Sequence, residues 1–139
     1  MDVLVLIGRI LFVMVFLGSG LNHLTQTRAM SGYAASKGVP LPTQATVVTG
    51  VMQLVGGLMV LLGIWADLGA LLLAAFVIPT PLIMHRFWSE TDPAARQNEM
   101  IHFMKDLGLG GAALMLLAFF SYAGDDLGLT LTGPLFGIG

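Results

Sequence analysis

Residues 68–85 read LGALLLAAFVIPTPLIMH, with Asp67 before them, Arg86 after them and no Asp, Glu, Lys or Arg between. Laid as an α-helix at about 1.5 Å per residue, such a run can cross the roughly 30 Å hydrocarbon core of a bilayer, which takes about 20 apolar residues. Histidine aside, three more stretches lie between ionisable residues in the same way: Ile10–Thr27, Gly38–Ala66 and Leu107–Gly124. The composition agrees, with 56% hydrophobic and 10% charged residues among 139 and a mean hydropathy of +0.87. A soluble domain of this size has too little interior to bury so much apolar surface. In lipid every backbone N–H and C=O needs a partner within the protein, and no stretch alternates as a barrel strand would, so the spans are helices. The fold class expected is all-α, an integral membrane four-helix bundle with antiparallel up-down connections. Its spans fall near 3–21, 45–65, 68–84 and 103–122, within one domain over 1–139.

Met1-Asp2 lacks the basic start of a signal peptide, and no small-residue cleavage site follows the first apolar stretch, so that stretch is expected to stay as a helix. Asn22–Gln44 is long enough for a short surface helix around Gln26–Ser36, ended by Gly38 and Pro40, with Met30 and Tyr33 at the interface. Ala66-Asp67 alone joins the second and third spans, which must therefore be neighbours. The tail after Gly124 is glycine-rich and too short to span again. Four crossings put the first and third connections on one side, and Arg28, Lys37, Arg86 and Arg96 all lie there, while Asp2, Asp67, Asp125 and Asp126 lie opposite. The positive-inside rule then gives a multi-pass plasma (inner) membrane protein with both termini outside. A net charge of −2 gives no reason to expect a nucleic acid partner.

Because the chain has no cysteine, thiol–disulfide exchange and thiolate-held iron–sulfur or zinc sites are excluded. Any redox role needs a borrowed cofactor. Chemistry is to be sought among polar groups at membrane depth, where an unpaired ionisable side chain is strongly disfavoured. Arg9 lies two turns into the first span, and Gln53 lies mid-way along the second on a face shared with Thr46, Thr49 and Gly57. Arg9 either donates to the Gln53 amide or snorkels to Asp2, Asp67 or the outer headgroups.

The second group lies at the inner helix ends: Asn22 and His23, His85 and Arg86, then His102, Lys105 and Asp106. All three histidines fall on one side. Glu99, His102 and Asp106 share a helical face if the fourth helix starts that early. Imidazole with carboxylate can exchange protons with a quinone headgroup near the membrane surface. No spacing matches a metal motif, so no metal site is expected. Lys105 and Asp106 project about 100° apart and are expected to have separate partners on other helices. Small residues, Gly56-Gly57, Ala70 with Ala74, Gly108 with Ala112, and Gly110-Gly111, are expected to let helix backbones approach. Pro79 and Pro81 kink the third span beside His85, which makes that region the expected pocket.

Taken in order, several segments resemble the DoxX family of small four-helix membrane proteins. They are Arg9 followed by Phe16–His23, Gly38-Val39-Pro40, Gln53–Gly57, His85–Trp88 and His102–Leu107. The resemblance implies a four-helix bundle and a link to redox chemistry: relatives include the small subunit of a thiosulfate:quinone oxidoreductase and a subunit of a mycobacterial membrane complex tied to oxidative-stress defence. Many members carry Glu where this chain has Gln53, and Lys-Asn where it has Lys105-Asp106.

Two functional readings follow. In the first, the protein is an accessory subunit of a redox-associated complex that has no cofactor of its own. It binds quinone, or docks a redox partner, through His85, His102, Lys105, Asp106 and His23. In the second it is a non-catalytic scaffold or assembly factor, using its small-residue faces and its glycine-rich tail to hold other membrane proteins. Its expected surroundings are lipid, other membrane or redox proteins, or further copies of itself.

Overall fold

The computed structural model describes residues 1–137, so the last two residues of the expected domain, 138–139, lie outside the described ones. The regular structure among the described residues is all helical, and four helical stretches are long and apolar enough to cross a membrane. The first is α1 (Asp2–Thr25); a short helix, α2 (Thr27–Ser36), follows it as expected; and α3 (Pro42–Leu62) is the second span. The third is broken into α4 (Ala66–Val77) and α5 (Pro79–Met84), and the fourth is α6 (Pro93–Ala123). Packing follows chain order, α1 on α3, α3 on α4 and α4 on α6, with α2 laid against α3.

The arrangement is inverted relative to a soluble protein. Leu4, Leu11, Met14 and Met115 are each more than 60% exposed, while Arg9, Thr46, Gln53, Asp67 and Asp106 are buried. Lipid solvates the outside, so polar side chains gain by turning inward, away from it. Val13, Phe16, Val60, Leu73, Ala113 and Phe120 make up the apolar core that joins the four spans.

Glycine sets the closest helix contact. A Cβ on Gly56 would stand 3.0 Å from the Gly69 carbonyl oxygen, and one on Gly69 2.9 Å from that of Gly56. This reciprocal approach draws α3 and α4 together after the turn at Gly63, whose φ of 67° suits glycine. Two positions expected to do the same do not: a Cβ on Gly108 or Gly111 would meet nothing within 4 Å. Those residues face away from the bundle, and only Gly110 is seated, against Ile78.

The fourth helix begins ten residues before the expected span. Asp92 accepts the Ala95 N–H at 2.9 Å and Pro93 occupies the first turn, a strong start signal independent of hydropathy. With 31 residues α6 is about 46 Å long, well beyond the hydrocarbon thickness, so its polar first turns stand outside the membrane. The break at Ile78 falls where prolines at 79 and 81 withhold the N–H groups that would continue the ladder. Thr80 Oγ1 donates to the Phe76 carbonyl at 2.6 Å and serves one acceptor there.

The tail is part of the fold. Residues 127–137 run back over the end of the bundle where α3 meets α4, and Leu131 N donates to Leu62 O at 3.2 Å and Thr132 N to Gly63 O at 2.9 Å. Asp67, wholly buried at the start of α4, accepts from Leu68 N at 3.0 Å, Leu135 N at 2.9 Å and Phe136 N at 2.7 Å. A carboxylate at a helix N-terminus that takes three backbone N–H groups is a firm anchor. The described part of the tail is thus engaged within the chain.

Candidate functional site

Arg9 closes the same end. Its Nε donates to Val60 O at 2.8 Å, its Nη1 to Leu129 O at 2.9 Å, and its Nη2 to Leu61 O. Neither expected placement, against Gln53 or out to the headgroups, occurs. The last carbonyls of a helix have no partner within it and form the negative end of its dipole, so a forked cation buried there is well placed. The last four carbonyls of α3 are all served: Met59 O accepts Ile64 N, Arg9 donates to Val60 O and Leu61 O, and Leu131 N donates to Leu62 O.

With that end sealed, the open space lies at the other. A cavity of about 690 Å³ reaches from the α5–α6 junction to the middle of α3, within the size range of small-molecule sites. Its walls come from α1 (Phe16, Ser19, Asn22, His23), α2 (Met30, Tyr33), α3 (Thr46, Thr49, Gln53), the broken third span (Phe76, Pro79, Ile83, His85) and α6 (His102, Lys105, Asp106, Leu109). On α6 the lining residues fall at i, i+3, i+4 and i+7, a single helical face. All three histidines line this one cavity. The kink-side pocket expected from Pro79 and Pro81 is present.

At the mouth, His85 is the hub. Its Nδ1–H donates to Glu99 Oε2 at 2.8 Å, its Nε2 lies 3.6 Å from Asp106 Oδ2, and its ring stacks on His102 with centroids 5.1 Å apart at 24°. Glu99, His102 and Asp106 share a face because α6 starts early enough to carry all three. Sequence reading missed Glu99 as the partner of His85; the signal for it was the Asp92-Pro93 helix start. Lys105 Nζ sits 3.5 Å from Asp106 Oδ1, where separate partners were expected. The flexible arm of lysine spans the angular gap between consecutive positions. Among the described residues no three His, Asp or Glu side chains gather as a metal-binding set.

His23 belongs to the opposite wall, away from that hub. Its Nδ1 lies 3.1 Å from Thr46 O and 3.0 Å from Thr49 Oγ1. The Thr49 hydroxyl already donates to Ala45 O at 2.7 Å, so the proton sits on Nδ1 and Nε2 is left as an acceptor. Phe76 meets the ring edge-on, with centroids 6.0 Å apart. Tyr33, on α2 outside the spans, lies over the cavity. Partial burial, with the negative charges of Glu99 and Glu90, raises its phenol above the usual value. Phe87, Trp88 and Phe103 pack edge to face with centroids 5.2–5.6 Å apart. They pin the turn after α5 onto α6, as aromatic residues do at a membrane interface.

Deep in the cavity, Gln53 is 1% exposed, and neither of its amide atoms has a hydrogen-bond partner among the described residues. A separate groove of about 340 Å³ along Val47, Val51, Val55 and Leu72 is entirely apolar and suits lipid chains.

The family model for DoxX matches residues 4–86. The match covers Arg9, His23, Gln53 and His85 and stops short of the α6 wall. The chain is also 32% identical over 114 residues to the inner membrane protein YphA of Escherichia coli (strain K12), a match covering 82% of this chain and 81% of that protein. No solved structure matches the chain significantly.

Proposed function

The chain belongs to the DoxX family of membrane proteins, and from that premise we propose that it is an accessory subunit of a redox-associated membrane complex. In this reading it holds a quinone headgroup in the cavity while electrons come from a partner's cofactor. The observation that supports the reading is one space with two kinds of wall, Phe16, Phe76, Ile83 and Leu109 on its flanks and His85, His102, Lys105 and Asp106 at its mouth. A quinone is the class of membrane-soluble molecule that needs both, hydrocarbon for ring and tail and hydrogen-bonding groups for the ring oxygens. His85, held between Glu99 and Asp106, stands among the hydrogen-bonding groups that would meet a ring oxygen at the mouth.

The same reading puts the protein in the plasma (inner) membrane, where its Escherichia coli relative is named as residing. The cavity mouth faces the cytoplasm, beside Arg28, Lys37, Arg86 and Arg96, with both termini on the other side.

Titration of the detergent-solubilised protein with a decyl-substituted para-benzoquinone tests this. Saturable binding is expected, weakened about tenfold or more in His85→Ala and Lys105→Ala, the loss of roughly one hydrogen bond to a charged group. Binding that never saturates, or that is equal in all three proteins, contradicts it. Companion membrane proteins recovered with no small molecule would favour the scaffold role instead.

A further inference from the structure

The deep end of the cavity carries a side chain that no group among the described residues serves. Gln53 is 1% exposed and lines the cavity, yet its Oε1 and Nε2 are both without a partner among the described residues. Its neighbours on the same face of α3 are satisfied: Thr46 Oγ1 donates to Pro42 O and Thr49 Oγ1 to Ala45 O, each at 2.7 Å. The Ser31 hydroxyl is also buried and unpaired, but it sits on α2 and does not line the cavity. Gln53 lies eleven positions beyond Pro42, about 16 Å along the helix and so near the bilayer centre. At that depth a primary amide with no partner is strongly disfavoured, and the cavity is the space from which a partner can reach it.

Resting on the quinone reading of this cavity, we propose that Gln53 is the deep anchor of the ligand and takes the ring oxygen farthest from the mouth. Its Nε2–H donates to the oxo group of a quinone, and its Oε1 accepts from the hydroxyl of the corresponding quinol. Amide rotation exchanges the two arrangements, so both redox forms dock there without a charge at the membrane centre. The other ring oxygen then lies toward the ionisable groups of the mouth, His85, His102, Lys105 and Asp106. Selectivity follows: a ring with para-related oxygens fills both poles, and one with a single oxygen fills only one.

Gln53→Met keeps the length of the side chain and removes the amide, and Gln53→Leu provides a second apolar replacement. Thermal unfolding in detergent is measured without ligand, alongside affinity for decyl para-benzoquinone and its quinol. The ligand-free variants are expected to unfold at or above the wild-type temperature, because hydrocarbon replaces an unserved polar group. Affinity for quinone and quinol alike is expected to fall about tenfold. Unchanged affinity, or ligand-free variants that are less stable than wild type or too unstable to purify, overturns the anchor and leaves the cavity reading standing. If the wild type shows no saturable binding, both fall together.

Discussion

The Arg9 guanidinium donates to the Leu129 carbonyl at 2.9 Å across 120 positions of sequence, tying the first helix to the tail. Leu129 is held at a φ of 59°, a left-handed backbone that a leucine does not choose for itself. The same arginine serves the end of α3 through Val60 and Leu61. One buried cation therefore fastens three parts of the chain.

Removing that cation exposes its worth. Arg9→Met leaves three carbonyls without their donor and is expected to lower stability by about 3–5 kcal/mol, the range for breaking a buried charged network. Arg9→Lys should lie between, because one ammonium cannot reproduce the fork. Unfolding in detergent micelles measures both, and an Arg9→Met protein as stable as wild type contradicts the assignment.

Asp67 provides the second fastening of the tail. Asp67→Ala frees the Leu68, Leu135 and Phe136 N–H groups and is expected to cost about 2–3 kcal/mol. Limited proteolysis should then cut within residues 127–137 faster than in the wild type. Equal cutting rates would show that the tail is held by other means.

The glycines divide into two classes by what a methyl group would meet. Gly69→Ala drives a Cβ to 2.7 Å from the Met59 Cβ and 2.9 Å from the Gly56 carbonyl oxygen, and should destabilise by about 1–3 kcal/mol through overpacking. Gly111→Ala meets open space and should be neutral or stabilise by up to about 1 kcal/mol through helix propensity. Thermal unfolding of the pair decides it, and equal effects at the two sites would contradict the packing.

Tyr33 gives a pH signature. In Tyr122→Phe it is the one remaining tyrosine, and its tyrosinate absorbance should rise with a midpoint above the ordinary value of about 10. The direction follows from burial and from Glu99 and Glu90, so Glu99→Gln should bring the midpoint down. A phenol whose folded value is raised keeps a proton that the unfolded chain releases. The contribution of this phenol to stability is therefore fully present below about pH 10 and is lost as pH rises past it through the folded value. A midpoint at or below about 10 contradicts the placement of α2 over the carboxylates.

The four spans and the α3–α4 hairpin were legible because hydropathy and loop length report directly on lipid exposure and chain reach. Helix ends were not: hydropathy marks where a helix lies in hydrocarbon, whereas α6 continues ten residues outward on the strength of the Asp92 cap and Pro93. The gathering of three histidines around one cavity was legible from topology alone, since His23, His85 and His102 all fall at the same ends of their helices. The partners of Arg9 and Asp67 were hidden, because they are backbone groups and carry no side-chain pattern. Gln53 stood out in sequence as a polar residue mid-span, but its lack of a partner among the described residues needed three-dimensional packing to be seen.

The most direct measurement is native mass spectrometry of the gently solubilised assembly. A protein bearing one added mass that matches a membrane quinone, retained in the wild type and depleted in His85→Ala, is the result expected. A wild-type protein that flies only bare, or only with companion chains and no small molecule, would contradict the account.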